Sequence, residues 1–509
     1  MLAHCCTAAL CGLEAQPVCV EVDLAPGLPL MQLVGLADAS GRDARERLRS
    51  ALRNSGFRVP QTRVVANLAP ADLPKQGAGF DLPLALALLV ASTQLAQQQL
   101  QGIWAIGELA LDGRLLPVHG VLAVAAAAAQ AGAKALLVPQ ANAAEARLVE
   151  ALPVWAADGL STAVRALQGA GPWSPLPPAP PEPPLPPMPD LAAVCGQRHG
   201  RRSLELAAAG AHHLLLIGPP GCGKTLLARC LPGLLPPLTP RQALLISQIH
   251  ALAGLRPAGS GLLRAPPLRM PHHGCSAAAL VGGGSGPRPG EVSLAHHGVL
   301  FLDELAEFKP AVLDQLRQPL EQGEIQLARA RQLLRLPARV QLVAATNPCP
   351  CGWWGDPQRG CRCGEQRRRQ YWGRLSGPLL DRIPLQVVLS SAQAQLLQPA
   401  PAAEPSESTA QVAERVQRAR QRMAARNPGG APNGALAFEQ LQPLLQASAA
   451  AQTWWRQLQP GLGLSSRAQA AVFTVARTAA DLEASTRVEV SHLAEALTYR
   501  GLDRGVASP

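Results

Sequence analysis

LLLIGPPGCGKT, residues 214–225, joins four apolar residues to a glycine-rich turn that ends in lysine and threonine. Leu226, Leu227 and Ala228 follow this turn and are typical of the start of a helix. A strand, a G-x-x-x-x-G-K-T loop and a helix in this order form a P-loop, in which backbone amides surround phosphates at a helix N-terminus. The sequence therefore predicts a phosphate-binding loop on an α/β sheet.

The members of this loop have candidate roles in binding ATP. The ammonium of Lys224 is expected to neutralise the β and γ phosphates, and the hydroxyl of Thr225 to hold Mg²⁺. The predicted ATP-binding residues are Gly218, Pro219, Pro220, Gly221, Cys222, Gly223, Lys224 and Thr225.

A second apolar run, Val299–Leu302, delivers two carboxylates at its C-terminal end. Ligands bind at the carboxyl ends of strands in open α/β sheets. We therefore expect Asp303 to bind the Mg²⁺ shell and Glu304 to polarise the attacking water.

A third apolar run, residues 341–345, ends in Thr346 and Asn347. The amide of Asn347 would orient the attacking water or the γ-phosphate, a role called sensor 1. Alone, this residue also fits a turn before Pro348, but its place after the first two motifs favours the catalytic interpretation.

Composition changes along the chain predict the domain organisation. Residues 171–190 are mostly proline and read as a semi-rigid linker. Residues 1–170 mix strand and helix signals, residues 191–397 alternate strands with helices, and residues 398–509 become helical after a second proline-containing stretch.

Charge and cysteine content restrict the class of protein. The net charge of +11 would attract a polyanion such as nucleic acid, although arginine bias in the genome also accounts for it. Twelve cysteines without a signal-like N-terminus favour a reducing cytoplasm. No apolar run is long enough for a membrane span, so we expect a cytoplasmic protein without a membrane partner.

Several longer stretches resemble the YifB/ComM family of magnesium-chelatase-like AAA+ ATPases over nearly the whole chain. They are VVANLAPADLPK at 64–75, FDLP at 80–83, VGGGSGPRPGE at 281–291, ATNPCPCG at 345–352 and SGPLLDR at 376–382. The resemblance implies an α/β P-loop AAA+ core with a C-terminal helical lid, preceded by a ribosomal-S5/Lon-protease-like α+β domain. It also implies a homohexameric ring driven by ATP and Mg²⁺.

The resemblance assigns two arginines and a substrate. Arg382 matches the arginine finger that reaches the ATP of the neighbouring subunit, and Arg467 matches sensor 2. Without the resemblance, either residue reads as a surface ion pair. ComM-type members are helicases that promote branch migration during the uptake of transforming DNA, so the resemblance implies DNA as the partner.

The N-terminal domain resembles Lon proteases without their catalytic pair. Gly79 takes the place of the nucleophilic serine, and no lysine follows GELALDGRLLPVHG at 107–120 until Lys134. Lon-type proteolysis needs a serine activated by a lysine amine, so we expect this domain to be proteolytically inactive.

Four cysteines with C-x-C-x9-C-x-C spacing are candidate ligands of a tetrahedral Zn²⁺ site. They are Cys349, Cys351, Cys361 and Cys363. The alternative is four free thiols. Arginines and aromatics surround this segment and fit either single-stranded DNA or a subunit contact.

The segment EIQLARARQLLRL at 324–336 predicts a β-hairpin with Arg329 and Arg331 near its turn. These arginines are candidate contacts to the DNA backbone, and a solvated turn is the alternative.

Two other functions remain open from the sequence. The chain could be the motor subunit of a magnesium-chelatase complex, or a protein-remodelling chaperone whose N-terminal domain recruits clients.

Overall fold

The computed structural model describes residues 2–502 except 37, 74, 76, 179, 185, 195, 257–259, 284–287, 330–331, 358 and 391–406. The chain divides into two compact units. The first comprises Met1–Pro184 and Pro240–Leu263, and the second comprises Leu185–Thr239 and Arg264–Pro509. The four-part division at 1–170, 171–190, 191–397 and 398–509 stays a prediction.

The strands of the described residues are β1 (Ala3–Cys11), β2 (Glu14–Ala25), β3 (Leu30–Val34), β4 (Arg63–Ala69), β5 (Ile103–Ala105), β6 (Glu108–Leu109), β7 (Leu115–Leu116), β8 (Ala135–Pro139), β9 (Val154–Ala157), β10 (Leu214–Ile217), β11 (Leu268–Arg269), β12 (Gly282–Gly283), β13 (Arg288–Pro289), β14 (Val299–Leu302), β15 (Glu324–Arg329), β16 (Gln332–Pro337), β17 (Gln341–Thr346) and β18 (Leu385–Val388).

The helices are α1 (Asp38–Asn54), α2 (Asp81–Ala91), α3 (Val121–Gln130), α4 (Ala143–Ala146), α5 (Leu160–Leu167), α6 (Arg198–Gly210), α7 (Lys224–Cys230), α8 (Pro240–Leu252), α9 (Ala277–Val281), α10 (Glu291–Leu294), α11 (Pro310–Asp314), α12 (Arg317–Gln322), α13 (Glu365–Trp372), α14 (Gly377–Leu380), α15 (Thr409–Arg426), α16 (Phe438–Leu441), α17 (Ala449–Leu458), α18 (Ser466–Leu482) and α19 (Val490–Thr498). None of those in the described part of the chain combines the length and apolar character needed to cross a bilayer.

The first unit contains a mixed sheet of order β3-β4-β2-β1-β5-β8-β9. Val18, Val20 and Val22 of β2 alternate along the strand and are all buried, because successive side chains of a strand point to opposite faces. Helix α2 is apolar after Asp81 and is buried along its whole length. This arrangement is the α+β type that the sequence predicts for the N-terminal region.

The second unit contains a parallel sheet of order β11-β14-β17-β10-β18. The strands β10, β14 and β17 are buried at every residue, as expected for parallel strands with both faces covered. The sequence predicted β10 and β14 with these limits, and it predicted β17 as residues 341–345, one residue short of its end at Thr346. The predicted parallel α/β core is therefore confirmed.

The C-terminal region is helical from Thr409 onward, as predicted from the sequence. The side chain of Ser408 accepts a hydrogen bond from the backbone of Gln411 and so caps α15. Helix α18 buries Ala468 and Val472 on the face that packs into the core, and Ser465 caps its first turn.

Strands β15 and β16 form the predicted antiparallel hairpin. Arg329 ends β15 and pairs by backbone register with Gln332. The side chain of Arg329 and the whole of Arg331 lie outside the described residues. Their predicted contact with DNA stays a prediction.

Candidate nucleotide-binding site

The turn between β10 and α7 takes the conformation of a P-loop. Gly221 and Gly223 have φ angles of 80° and 92°, in the left-handed region that favours glycine. Gly223 directly precedes α7, whose first residue is Lys224. The first amides of a helix have no intrahelical partner, so this turn presents amide donors and the positive end of the helix dipole.

The ammonium of Lys224 is buried at the centre of this loop. Its Nζ donates to the carbonyl oxygens of Gly218 and Pro219 at 2.7 and 2.9 Å. It also donates to Oδ1 of Asn347 at 3.2 Å. Burial lowers the pKa of Lys224, because desolvation disfavours the charged form. The structure thus brings the P-loop lysine and the predicted sensor 1 amide together.

The structure also brings Thr225 and Asp303 together. The hydroxyl of Thr225 donates to Oδ2 of Asp303 at 2.9 Å. A hydroxyl and a carboxylate are oxygen ligands of the type that Mg²⁺ takes at nucleotide sites, so this pair fits the predicted metal position.

Glu304 has a left-handed backbone, with φ of 52°, although it is not glycine. Such a conformation costs free energy and clusters at active sites. Its Oε2 lies 3.1 Å from Nδ1 of His273. The sequence gives no signal for this contact, because a histidine in a loop does not indicate a carboxylate far along the chain.

The order of the strands explains why these residues meet. Neighbouring strands β14, β17 and β10 run parallel, so their carboxyl ends lie at one edge of the sheet. Asp303 follows β14, Asn347 follows β17, and the P-loop follows β10. The three predicted motifs therefore converge.

Arg382 and Arg467 lie together on one carboxylate, that of Glu321 in α12. Nη2 of Arg382 lies 2.7 Å from Oε2 of Glu321, and Nη2 of Arg467 lies 2.9 Å from Oε1. Among the described residues, neither arginine makes a polar contact with Lys224. Glu321 could not be predicted from the sequence, since one glutamate on a short helix belongs to no motif.

The four predicted zinc ligands are also brought together. The Sγ atoms of Cys349, Cys351 and Cys361 lie 3.3 to 3.6 Å apart, and that of Cys363 lies within 4.8 Å of each. Tetrahedral zinc with Zn–S bonds of about 2.3 Å requires sulfur separations of roughly 3.8 Å. The four thiols therefore fit one metal ion.

The cysteine loop packs directly against the nucleotide site. A Cβ atom on Gly352 would lie 2.7 Å from Cδ of Pro220, so only glycine allows this close approach. On the other side, Nε1 of Trp372 donates to the carbonyl of Pro348 at 3.0 Å. The loop that holds the thiols thus forms part of the surroundings of the P-loop and of Asn347.

Two aromatic residues of this segment have partners within the chain. Tyr371 is buried and its hydroxyl lies 3.2 Å from Oγ1 of Thr346, so it is not available to stack on a base. The guanidinium of Arg359 lies 4.3 Å from the ring centre of Trp353. Such a cation–π contact already occupies one face of that indole.

Comparison with known proteins identifies the family of the chain. Three family models match it: "Magnesium chelatase, subunit ChlI" over residues 190–397, "Subunit ChlI of Mg-chelatase" over residues 20–142, and "Magnesium chelatase, subunit ChlI C-terminal" over residues 406–500. YifB of Salmonella typhimurium is 42% identical over 499 residues, covering 98% of this chain and 97% of that protein. The competence protein ComM of Haemophilus influenzae is 41% identical over 498 residues, covering 97% and 96%.

The chain belongs to the YifB/ComM family of magnesium-chelatase-like AAA+ ATPases. The resemblance that the sequence motifs indicated is thereby confirmed. The parallel sheet and the helical C-terminal region are those of an AAA+ domain of the magnesium-chelatase type. The individual roles of the site residues in this YifB/ComM chain stay proposals.

Proposed function

We propose that this YifB/ComM protein hydrolyses ATP with Mg²⁺ and couples the reaction to movement of DNA through a homohexameric ring. The observation that carries the proposal is the convergence of Lys224, Thr225, Asp303 and Asn347 at one sheet edge. A phosphate-binding loop, a metal-binding pair and an orienting amide are the parts that phosphoryl transfer needs.

Each residue of the site would have a separate role in hydrolysis. Amides of the loop and the ammonium of Lys224 would bind the β and γ phosphates. Mg²⁺, held by Thr225 and Asp303, would neutralise charge that develops on the phosphate oxygens. Glu304 would accept the proton of the attacking water, which forms a bond to the γ-phosphorus as the bond to the leaving ADP breaks.

Three further residues would position the reacting groups or stabilise the transition state. Asn347 would be within reach of the water or the γ-phosphate, because its Oδ1 lies beside Nζ of Lys224. His273 contacts the carboxylate of Glu304 and would hold it in the orientation that proton transfer requires. Arg382 would come from the neighbouring subunit and stabilise charge in the transition state.

We also propose that Cys349, Cys351, Cys361 and Cys363 bind one Zn²⁺. The spacing of the sulfurs and their mutual proximity support the assignment. The metal would fix a loop that begins two residues after Asn347 and contacts Pro220, so its role would be structural.

The DNA part of the proposal rests on charge and on one relative. The net charge of +11 favours a polyanion, and the competence protein ComM matches nearly the whole chain. The test is branch migration of a labelled DNA junction by purified protein with and without ATP. Junction products that do not depend on ATP, or no products, would contradict the proposal.

A magnesium-chelatase motor is the second candidate, since each matching family model describes a magnesium-chelatase subunit. ATP hydrolysis that responds to single-stranded or branched DNA supports the DNA motor. Hydrolysis that responds solely to chelatase partner subunits supports the alternative.

A further inference from the structure

Glu321 binds two arginines at the same time, and both are candidates for contact with a nucleotide. Each of its carboxylate oxygens accepts from a different guanidinium, that of Arg382 at 2.7 Å and that of Arg467 at 2.9 Å. These are charge-assisted hydrogen bonds, which are shorter and stronger than neutral ones. The hydrogen bond from Arg382 is the main reason why the pKa of Glu321 is lowered.

The arginines keep binding capacity that Glu321 does not use. Nε of Arg382 is buried, and no acceptor among the described residues receives its hydrogen. Two positive charges face one negative charge, so the group carries an excess of about one positive charge. A triphosphate offers several anionic oxygens, and Arg binds phosphate through more than one hydrogen bond.

Glu321 also lies close in the chain to the hairpin of β15 and β16. It lies one residue before the end of α12, and strand β15 begins at Glu324. Gly323 between them has a φ of 69°, a conformation that glycine takes without strain. Two residues therefore separate Glu321 from the first residue of the hairpin.

We infer that Glu321 is a positioning residue that competes with a bound triphosphate for Arg382 and Arg467. When the arginines bind phosphate, Glu321 loses its partners, and the end of α12 and the hairpin respond. The inference rests on the proposed function, because it takes the target of Arg382 to be the ATP of a neighbouring subunit.

Competition gives a specific kinetic signature. Breaking the pairs with Glu321 opposes binding of ATP, so removing the negative charge should strengthen that binding. Glu321 is 53% exposed, and Arg467 and Arg382 are 47% and 12% exposed, so solvent screens both pairs from the side of the shared carboxylate. Pairs of this kind correspond to a change in KM of about two- to fivefold.

The test is steady-state ATP hydrolysis by the assembled full-length protein with Mg²⁺ and without DNA. Glu321→Gln should lower the KM for ATP about two- to fivefold and leave kcat within about twofold of wild type. The matched control is Glu414→Gln, which removes an exposed pair with Arg418 on α15 and should change neither constant. An unchanged KM in Glu321→Gln, or a lower kcat at constant KM, overturns the inference.

Addition of single-stranded DNA separates this inference from the motor proposal. A wild-type rate that does not respond to DNA contradicts the motor, whereas the KM comparison without DNA still decides the role of Glu321. A DNA response of equal size in wild type and Glu321→Gln contradicts the link between Glu321 and the hairpin.

Discussion

The hydroxyl of Thr225 donates to the carboxylate of Asp303 at 2.9 Å, although the two residues are 78 positions apart in the chain. Thr225 lies in the first turn of α7, and Asp303 lies directly after β14. Strand β17 separates β14 from β10 in the sheet and contributes Asn347 between them. The contact therefore depends on the order of three parallel strands. It fixes the distance between the phosphate-binding loop and the carboxylates of Asp303 and Glu304.

Lys224→Ala should abolish high-affinity binding of ATP. The substitution removes the ammonium that donates to two carbonyl oxygens of the P-loop and to Oδ1 of Asn347. A charge-assisted contact is worth up to about 3 kcal/mol, which corresponds to a roughly hundredfold increase in Kd. Titration of a fluorescent ATP analogue checks this result. Lys134→Ala, which alters an exposed lysine of the first unit, serves as the control and should leave Kd unchanged.

Glu304→Gln should keep ATP binding and stop turnover. An amide has the shape of the carboxylate but cannot accept the proton of the attacking water, and general-base catalysis is worth roughly 10²- to 10⁴-fold. Single-turnover hydrolysis together with Kd separates the two effects. The control Glu307→Gln removes the partner of Arg374, a pair without a proposed role in hydrolysis, and should retain turnover. Normal turnover in Glu304→Gln would show that another group activates water.

His273→Ala should lower kcat without changing Kd for ATP. The ring of His273 lies 3.1 Å from Oε2 of Glu304, so its loss leaves the carboxylate free to rotate. We expect a loss of roughly tenfold, smaller than that of the general base itself. The neighbouring His272, whose ring packs on that of His273, offers His272→Ala as a comparison. Equal effects of both variants would assign the loss to the loop rather than to the contact with Glu304.

The sequence predicted the core strands and the three motifs because each is local. A strand, a glycine turn and a helix occupy consecutive residues, so the pattern at 214–225 needs no knowledge of distant contacts. The apolar run before Asp303 is likewise a pattern of consecutive residues. Parallel pairing then brings the carboxyl ends of such strands together, which is why the sequence also predicted the convergence of the site.

The contacts that the sequence could not predict are long-range and lack a motif. Glu321 and Arg467 are 146 positions apart, and nothing in either segment indicates the other. The approach of Gly352 to Pro220 likewise depends on how the cysteine loop folds back. Contacts of this kind follow from tertiary packing, which local propensity and periodicity do not encode.

Cys351→Ser should release zinc and slow hydrolysis. One of four thiolate ligands is lost, and a structural zinc site depends on all four for its stability. Elemental analysis should give about one zinc per chain for wild type and much less for the variant. The control Cys11→Ser changes a thiol of the first unit and should keep the metal. No zinc in wild type purified without chelator would contradict the metal assignment.

Arg382→Ala should prevent hydrolysis in the ring while leaving ATP binding to each subunit intact. An arginine that acts on a neighbouring nucleotide is worth roughly 10³-fold or more in kcat. Mixing Arg382→Ala with Lys224→Ala subunits tests this role, because some interfaces then combine an intact P-loop with an intact arginine. Recovery of activity on mixing supports action between subunits. No recovery, with assembly confirmed by light scattering, contradicts it.

Asp481→Asn should destabilise the helical region that carries Arg467. Asp481 is 1% exposed and accepts from the buried Arg477 at 3.0 Å and from Arg426 at 2.5 and 2.8 Å. Removal of one partner leaves a buried charge without compensation, which costs about 3 to 5 kcal/mol in the free energy of unfolding. Because Asp481 lies near the C-terminal end of α18 and Arg467 near its start, the loss should also weaken the pair between Arg467 and Glu321. Urea unfolding followed by circular dichroism measures the effect, and Asp112→Asn, at an exposed pair with Arg114, should leave the free energy of unfolding close to that of wild type.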